Sequence, residues 1–132
     1  MTLTEVTRAI RASWGADTCD PDDLADWHPG NPARGQCGTT ALVLHDLLGG
    51  ELVLGEVHVY GERTGFHYWN RLGGIDVDLT RDQFRPDETV TAGRSVERPS
   101  GAPKRCREQY ETLRDRVAAC LAQPSPERPD RG

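Results

Sequence analysis

Three strand-like segments follow one another between residues 51 and 80, and the short turns between them limit the folds open to this chain. The segments ELVLGEVHVY (51–60), FHYWNRL (66–72) and IDVDLT (75–80) are rich in β-branched, aliphatic and aromatic residues. A turn at GERTG and a hairpin turn at Gly73-Gly74 separate them, and connections this short join antiparallel neighbours. The sequence therefore predicts an antiparallel meander in the centre of the chain.

Helices are predicted on both sides of the meander. Residues 2–14, 37–48 and 106–121 carry apolar side chains at helical spacing. Gly49-Gly50 ends the second of these helices, and the turn residues of 15–36 predict an ordered loop before it. The order helix, loop, helix, meander, helix indicates an α+β domain, with the C-terminal helix packing back on the core.

The length of 132 residues suits one domain, which we place at residues 1–121. The Gly/Pro/Ser-rich stretch 93–104 is predicted to be an internal linker, and residues 122–132, which have little apolar content, a disordered tail. The net charge of −5 argues against a nucleic-acid surface. Because the chain has no run typical of a signal peptide or a membrane span, we expect it in the cytoplasm, with four free thiols. The sequence indicates no oligomeric state.

Cys37 stands at the start of the second predicted helix. Unpaired backbone N–H groups and the helix dipole favour a thiolate there, and the same N–H groups could bind the oxyanion of an acyl-transfer intermediate. Gly35 and Gly38 keep bulk away, so that a substrate carbonyl could approach the backbone. This placement predicts Cys37 as a nucleophile.

A histidine and an aspartate on the meander complete a possible catalytic set. A four-residue loop would put His67 directly opposite Asp78, and a two-residue loop would put the two residues diagonally on one face. Asp76 faces the same way, so the sequence leaves open which aspartate orients His67, although Asp78 pairs better. The imidazole would act as base and acid, and the carboxylate would fix its tautomer.

The segments GQC at a helix start, HYW and DLT resemble the papain-like and transglutaminase-like cysteine enzymes. More closely, SWGADTC, NPARGQCGTTALVLHDLLGGE, FHYWNRL, IDVDLTRDQF and REQYETLRDRV are similar to the YunG-type family of small bacterial proteins. The resemblance spans nearly the whole chain up to about Val117. It implies a minimal papain-like/transglutaminase-like domain, in which a nucleophile-bearing helix packs on a small antiparallel sheet, and a site of Cys37, His67 and Asp78.

Candidates for the oxyanion hole and for substrate binding are Gln36, Trp69, Asn31 and Gly38. The oxyanion glutamine of papain-like proteases lies several residues ahead of the cysteine, whereas Gln36 is its immediate neighbour. Two interpretations of Gln36 therefore stay open: it is an oxyanion donor, or it holds the 31–36 loop in place. Trp69 would form a wall of the cleft or part of the core.

These residues predict a cysteine-dependent acyl-transfer enzyme, an amide or peptide hydrolase or an amide transferase, that works through a thioacyl-enzyme. We expect a small or extended substrate with an amide, peptide or thioester bond, because a domain of this size has little room for a deep pocket. The alternatives are a non-catalytic module that binds a small molecule or a protein, and a redox protein that uses several thiols. Ligand spacings typical of zinc are absent from the sequence, so no metal or cofactor is predicted.

Overall fold

Three α-helices build one apolar core. The computed structural model describes residues 1–98, 101 and 103–123, and its α-helices are α1 (Leu3–Ser13), α2 (Cys37–Leu48) and α3 (Arg107–Ala122). The buried residues of this core are Val6, Ala9, Ile10, Val43, Leu44, Tyr110, Leu113 and Val117. Within the described residues, no helix has the length and apolar character that crossing a membrane requires.

The sheet is antiparallel throughout. Its strands are β1 (Glu51–Val59), β2 (Glu62–Leu72), β3 (Ile75–Val77), β4 (Glu88–Val90) and β5 (Arg94–Val96). β2 lies between β3 and β1, while β4 and β5 pair with different parts of the other edge of β1. The side-chain amide of Asn70 on β2 donates to the Ala41 carbonyl of α2 at 3.0 Å, which ties the helix to the sheet. The predicted α+β class is confirmed.

The first hairpin turns earlier than the sequence suggested. GERTG is not a turn, because β2 already begins at Glu62 and the chain reverses at Tyr60-Gly61. Both turn residues have positive φ, 50° and 83°, as a two-residue hairpin turn that matches the twist of the strands requires. At the second hairpin, Gly73 and Gly74 also have positive φ and form the predicted turn.

The stretch 93–104 is not a continuous linker, because β5 lies within it. Arg94–Val96 pairs with Leu52–Leu54 of β1, on the edge that β2 leaves free. A three-residue strand is too short to show an alternating pattern, so pairing with β1 rather than local sequence determines it. At the C-terminus, α3 extends to Ala122, one residue past the predicted domain end. The remainder of the predicted tail, 124–132, lies outside the described residues.

The segment before α2 contains two short 3₁₀ helices, where the sequence predicted a loop. They span Ala16–Thr18 and Pro21–Asp26. The Asp20 side chain accepts from the Asp22 N–H and caps the second of them, and Pro21 stands at its first position, where no N–H is needed. This segment packs beside the start of α2, because the Asp20 N–H donates to the Gly35 carbonyl at 2.9 Å.

Candidate active site

Cys37 is the first residue of α2 and is half-buried. The preceding residue makes no side-chain hydrogen bond to the helix end, so the first backbone N–H groups of α2 have no side-chain cap. A Cβ atom added to Gly38 would meet nothing within 4 Å, which means that space is open beside the thiol and these N–H groups. The helix end thus combines a sulfur atom, backbone N–H donors that Gln36 does not cap, and room for a ligand.

His67 lies on β2 and is fully buried. Its Nε2 contacts Oδ2 of Asp78 at 2.7 Å, and the backbone N–H of Thr80 donates to the other oxygen of Asp78 at 3.3 Å. Burial alone would lower the pKa of His67, but the hydrogen bond to Asp78, together with hydrogen bonding and charge from Cys37, outweighs it. The pKa of His67 is raised to about 9. The site therefore stabilises an imidazolium.

The second ring nitrogen of His67 is not engaged by Asp78. Nδ1 is buried and has no hydrogen-bond partner among the described residues. Cys37 nevertheless lies close enough to His67 to raise the pKa of the imidazole. Nδ1 is therefore the ring nitrogen through which His67 could exchange a proton with Cys37. Catalytic hydrogen bonds are often loose before a substrate binds.

Two aromatic side chains hold the imidazole. The Trp69 ring stacks on it with centroids 5.3 Å apart and an interplanar angle of 27°, and Phe84 meets it edge-on at 4.7 Å. The tip of the Trp69 indole fills a slot between two glycines, where an added Cβ would lie 2.9 Å (Gly55) or 2.4 Å (Gly93) from the indole. Trp69 is 8% exposed and forms a wall of the buried imidazole site. Sequence reasoning missed Phe84, because an isolated aromatic after a turn carries no periodic signal.

Asp78, and not Asp76, contacts His67. The two-residue hairpin pairs Arg71 with Asp76, which places Asp78 diagonally to His67, the second of the two registers that the sequence allowed. Asp76 instead accepts from Arg71 Nε at 2.7 Å and from Trp69 Nε1 at 3.2 Å. The two aspartates thus have separate partners.

Gln36 is fully buried and faces the preceding loop. Its Oε1 accepts from the Thr18 hydroxyl at 2.8 Å, and its Nε2 donates to the Gly15 carbonyl at 3.0 Å. The amide is therefore engaged within the protein, and this geometry argues against the oxyanion role. Gln36 does hold a neighbouring segment in place, but this segment is 15–18, which contains the first 3₁₀ helix, rather than the predicted 31–36 loop.

Gln83 connects the loop that precedes Cys37 to the segment that follows Asp78, and sequence reasoning missed this residue. Its Oε1 accepts from the Gly35 N–H at 3.1 Å, and its Nε2 donates to the Thr80 hydroxyl at 3.0 Å. The Gln83 carbonyl also accepts from Asn31 Nδ2 at 3.1 Å. Asn31, a predicted substrate-binding candidate, is therefore engaged in holding the loop. No local pattern singles out Gln83, whose contacts span 48 and 52 residues of chain.

Two further thiols, the buried Cys19 and the half-buried Cys106, lie near acidic side chains. Burial and the carboxylates of Asp23 and Asp20 raise the pKa of Cys19 to about 12, and burial also raises the pKa of Cys106. A Cβ on Gly35 would lie 2.5 Å from Cys19 Sγ, so packing against Cys19 requires this glycine, which also lines the cavity that opens beside Cys37. The four cysteines are free. Among the described residues, no group of three or more His, Cys, Asp and Glu side chains is placed to hold a metal ion.

A cavity of about 840 Å³ opens beside Cys37. Gly38, Leu42 and Phe84 line it together with Cys37, whereas the buried His67 does not. This volume lies within the usual range of small-molecule sites and exceeds what the domain's size led us to expect. The thiol thus borders open space, whereas the imidazole is buried away from it.

Comparison with known proteins places the chain among relatives. The family described as "YunG protein" matches residues 2–122. A Bacillus subtilis (strain 168) protein named "Uncharacterized protein YunG" is 29% identical over 83 residues, which cover 63% of this chain and 64% of that protein. The chain therefore matches less than two thirds of the length of this relative. No solved structure matches this chain. The family match covers nearly the whole chain, and the protein belongs to the YunG family.

Proposed function

We propose that this protein is a cysteine-dependent acyl-transfer enzyme with a minimal papain-like/transglutaminase-like architecture. One observation carries the proposal: a fully buried imidazole contacts Asp78 through Nε2 at 2.7 Å, and Cys37 lies close enough to raise the pKa of that ring. A nucleophile, a base and an orienting carboxylate in this order are the parts that acyl transfer requires.

In the first step, the Cys37 thiolate attacks the carbonyl carbon of an amide or thioester. A C–S bond forms, and the carbonyl π electrons move to the oxygen. The uncapped backbone N–H groups at the start of α2 would hold this oxyanion, as the amide of Gln36 is engaged elsewhere. When the oxyanion collapses, the bond to the leaving group breaks, and protonated His67 donates the proton from Nδ1 to that group.

In the second step, water or an amine resolves the thioacyl-enzyme. His67, now neutral, takes a proton from the acceptor as it attacks the thioester carbon. The C–S bond then breaks, and the thiolate and the imidazolium are restored together. Asp78 stays ionised throughout, because its function is to orient the ring and to stabilise its charged form.

The proposed substrate is small or extended and contains an amide, peptide or thioester bond. A nucleic acid does not fit a chain with a net charge of −5. We further propose that the enzyme acts in the cytoplasm, because a reducing compartment keeps four free cysteines unpaired.

A binding module without catalysis is the second candidate. The observation that favours it is that Nδ1 of His67 has no hydrogen-bond partner in the described part of the chain, while Cys37 borders a cavity large enough for a small molecule. In that case the same side chains would stabilise the fold and the cavity would hold a ligand that stays intact.

Reaction with an activated ester separates these candidates. With p-nitrophenyl acetate, the enzyme should release a burst of p-nitrophenolate and carry one acetyl group on Cys37, as located by peptide mass spectrometry. The burst should vanish in Cys37→Ser and remain in Cys120→Ser, which removes a more exposed thiol on α3. A burst that survives Cys37→Ser would refute acyl transfer by Cys37, and so would an unmodified Cys37 together with p-nitrophenolate release no faster than in Cys37→Ser.

A further inference from the structure

The cavity beside Cys37 has two chemically different parts. One part lies between α2 and the sheet, and we call it the helix–sheet groove. It is formed by Ala41, Leu42, Leu52, Leu54, Phe66 and Tyr68. Leu54 and Tyr68 are direct cross-strand partners, and Leu52 and Phe66 each lie two residues further along, so the four share one face of the sheet.

The other part carries paired charges, in which carboxylates outnumber cations. Arg34 pairs with Glu88 at 2.9 Å and approaches Asp23 at 3.5 Å. Arg105 contacts Asp20 at 2.8 Å and Asp22 at 2.7 Å. Because these cations already have carboxylate partners, they offer little free charge to a ligand. The larger source of binding energy is the apolar groove.

Along the chain, the two parts adjoin residues on either side of Cys37. The charged part adjoins residue 35, ahead of the nucleophile, since the Asp20 N–H donates to the Gly35 carbonyl. The groove follows α2 in the other direction, from Gly38 to Leu42, over a helix rise of roughly 7.5 Å from Cys37. A carbonyl at the start of α2 would therefore place one substituent in the groove and the other among the charges.

We propose that the groove binds the acyl side of the substrate, and that this side is an apolar chain of medium length. The inference rests on the proposed acyl transfer by Cys37. The acyl group remains attached to the sulfur in the thioacyl-enzyme, and the groove would hold it there while the leaving group departs past the charged part. Glu97, which also lines the cavity, is exposed to solvent.

The test is the chain-length dependence of acylation. Acetyl, butanoyl, hexanoyl and octanoyl thioesters of N-acetylcysteamine would be offered to the full chain, and the rate of acylation at Cys37 followed by mass spectrometry. Burial of each methylene should raise the second-order rate about threefold to fourfold, which makes hexanoyl roughly 100-fold faster than acetyl. Rates independent of chain length would overturn the apolar acyl site and leave the proposed chemistry standing.

Two variants and a control keep this test tied to the groove. Leu54→Ser and Phe66→Ser should reduce the advantage of hexanoyl over acetyl to about tenfold; Phe66 is 50% exposed, so its replacement spares the core. Ile75→Ser, on β3 and 70% exposed outside the cavity, should leave the advantage unchanged. An unchanged advantage in both groove variants would overturn the assignment.

A binding measurement separates failure of the groove from failure of catalysis. Octanamide, but not acetamide, should shift the methyl resonances of Leu52 and Leu54 in Cys37→Ala. If octanamide binds in this way while no thioester acylates the natural chain, the proposed acyl transfer fails and the groove remains an apolar ligand site. If neither binding nor acylation occurs, both are refuted.

Discussion

Replacing Asp78 by Asn should lower the pKa of His67, because Asp78 is the main group that favours the charged ring. Asn is nearly isosteric and can still accept a hydrogen bond from Nε2, but it carries no charge. A hydrogen bond to a charged group contributes about 1.5–3 kcal/mol, against about 1 kcal/mol for a neutral pair. The difference, roughly 1–2 kcal/mol, corresponds to a fall in the pKa of His67 of about 1 pH unit.

The same substitution makes stability depend less on pH. The pKa of His67 is raised from 6.5 to about 9 in the folded protein, so its protonated form is the stabilising one. That contribution is complete below pH 6.5 and is lost as the pH rises through 9. Asp78→Asn should therefore destabilise the fold by about 1–2 kcal/mol at pH 6 and by much less near pH 10.

Long-range ¹H–¹⁵N correlation spectra, recorded from pH 5 to pH 10, would follow the titration of the His67 imidazole. Urea unfolding at pH 6 and pH 10 would give the free energies of unfolding of the variant and the natural protein. Asp76→Asn is the matched control, because Asp76 is two residues away and pairs with Arg71 and Trp69 instead. The reasoning fails if Asp78→Asn leaves the pKa of His67 unchanged, or if Asp76→Asn lowers it as much.

Three further substitutions test neighbouring parts of the site. Gly93→Ala should lower the free energy of unfolding in urea by about 1–3 kcal/mol, because the added Cβ would lie 2.4 Å from the Trp69 indole. An unchanged midpoint of urea unfolding would contradict the close packing of Gly93 on Trp69. Gly38→Ala should stabilise α2 by about 0.5–1 kcal/mol, since the added Cβ meets open space. The same Cβ should slow acylation of Cys37, because it narrows the approach to the thiol. Equal acylation rates in the variant and the natural protein would argue against substrate entry beside Gly38. Gln36→Leu should destabilise the protein by about 1–3 kcal/mol by removing its bonds to the 15–18 loop. An enzyme that keeps its stability but loses acylation would instead restore the oxyanion role.

Local sequence patterns predicted much of the framework. The bounds of α2 follow from local signals: its apolar residues have helical spacing from Cys37 onward, and the helix ends before Gly49, which has a positive φ of 74°. The even spacing of His67 and Asp78 from the hairpin turn keeps the two residues on one face in either register. Such features depend on residues close in sequence, which is why they can be read without a structure.

The features that sequence reasoning missed are held by distant partners. β5 exists only through pairing with β1, some 40 residues earlier. Gln83 accepts a hydrogen bond from Gly35, which lies 48 residues earlier in the loop that precedes Cys37. Phe84 packs on the His67 ring from a segment whose apolar residues show neither helical nor strand spacing. Gln36 stands next to the nucleophile, yet its amide is engaged by the 15–18 loop, which no local pattern could indicate.

The central claim, that His67 activates Cys37, is tested most directly by the alkylation rate of each cysteine at pH 7. Iodoacetamide labelling followed by peptide mass spectrometry compares Cys37 with Cys120, which is the more exposed thiol. Activation predicts that Cys37 reacts at least about tenfold faster than Cys120 and that His67→Gln, checked for folding by circular dichroism, removes this advantage. If Cys37 reacts no faster than Cys120, or keeps its rate in folded His67→Gln, the activation of Cys37 by His67 is contradicted.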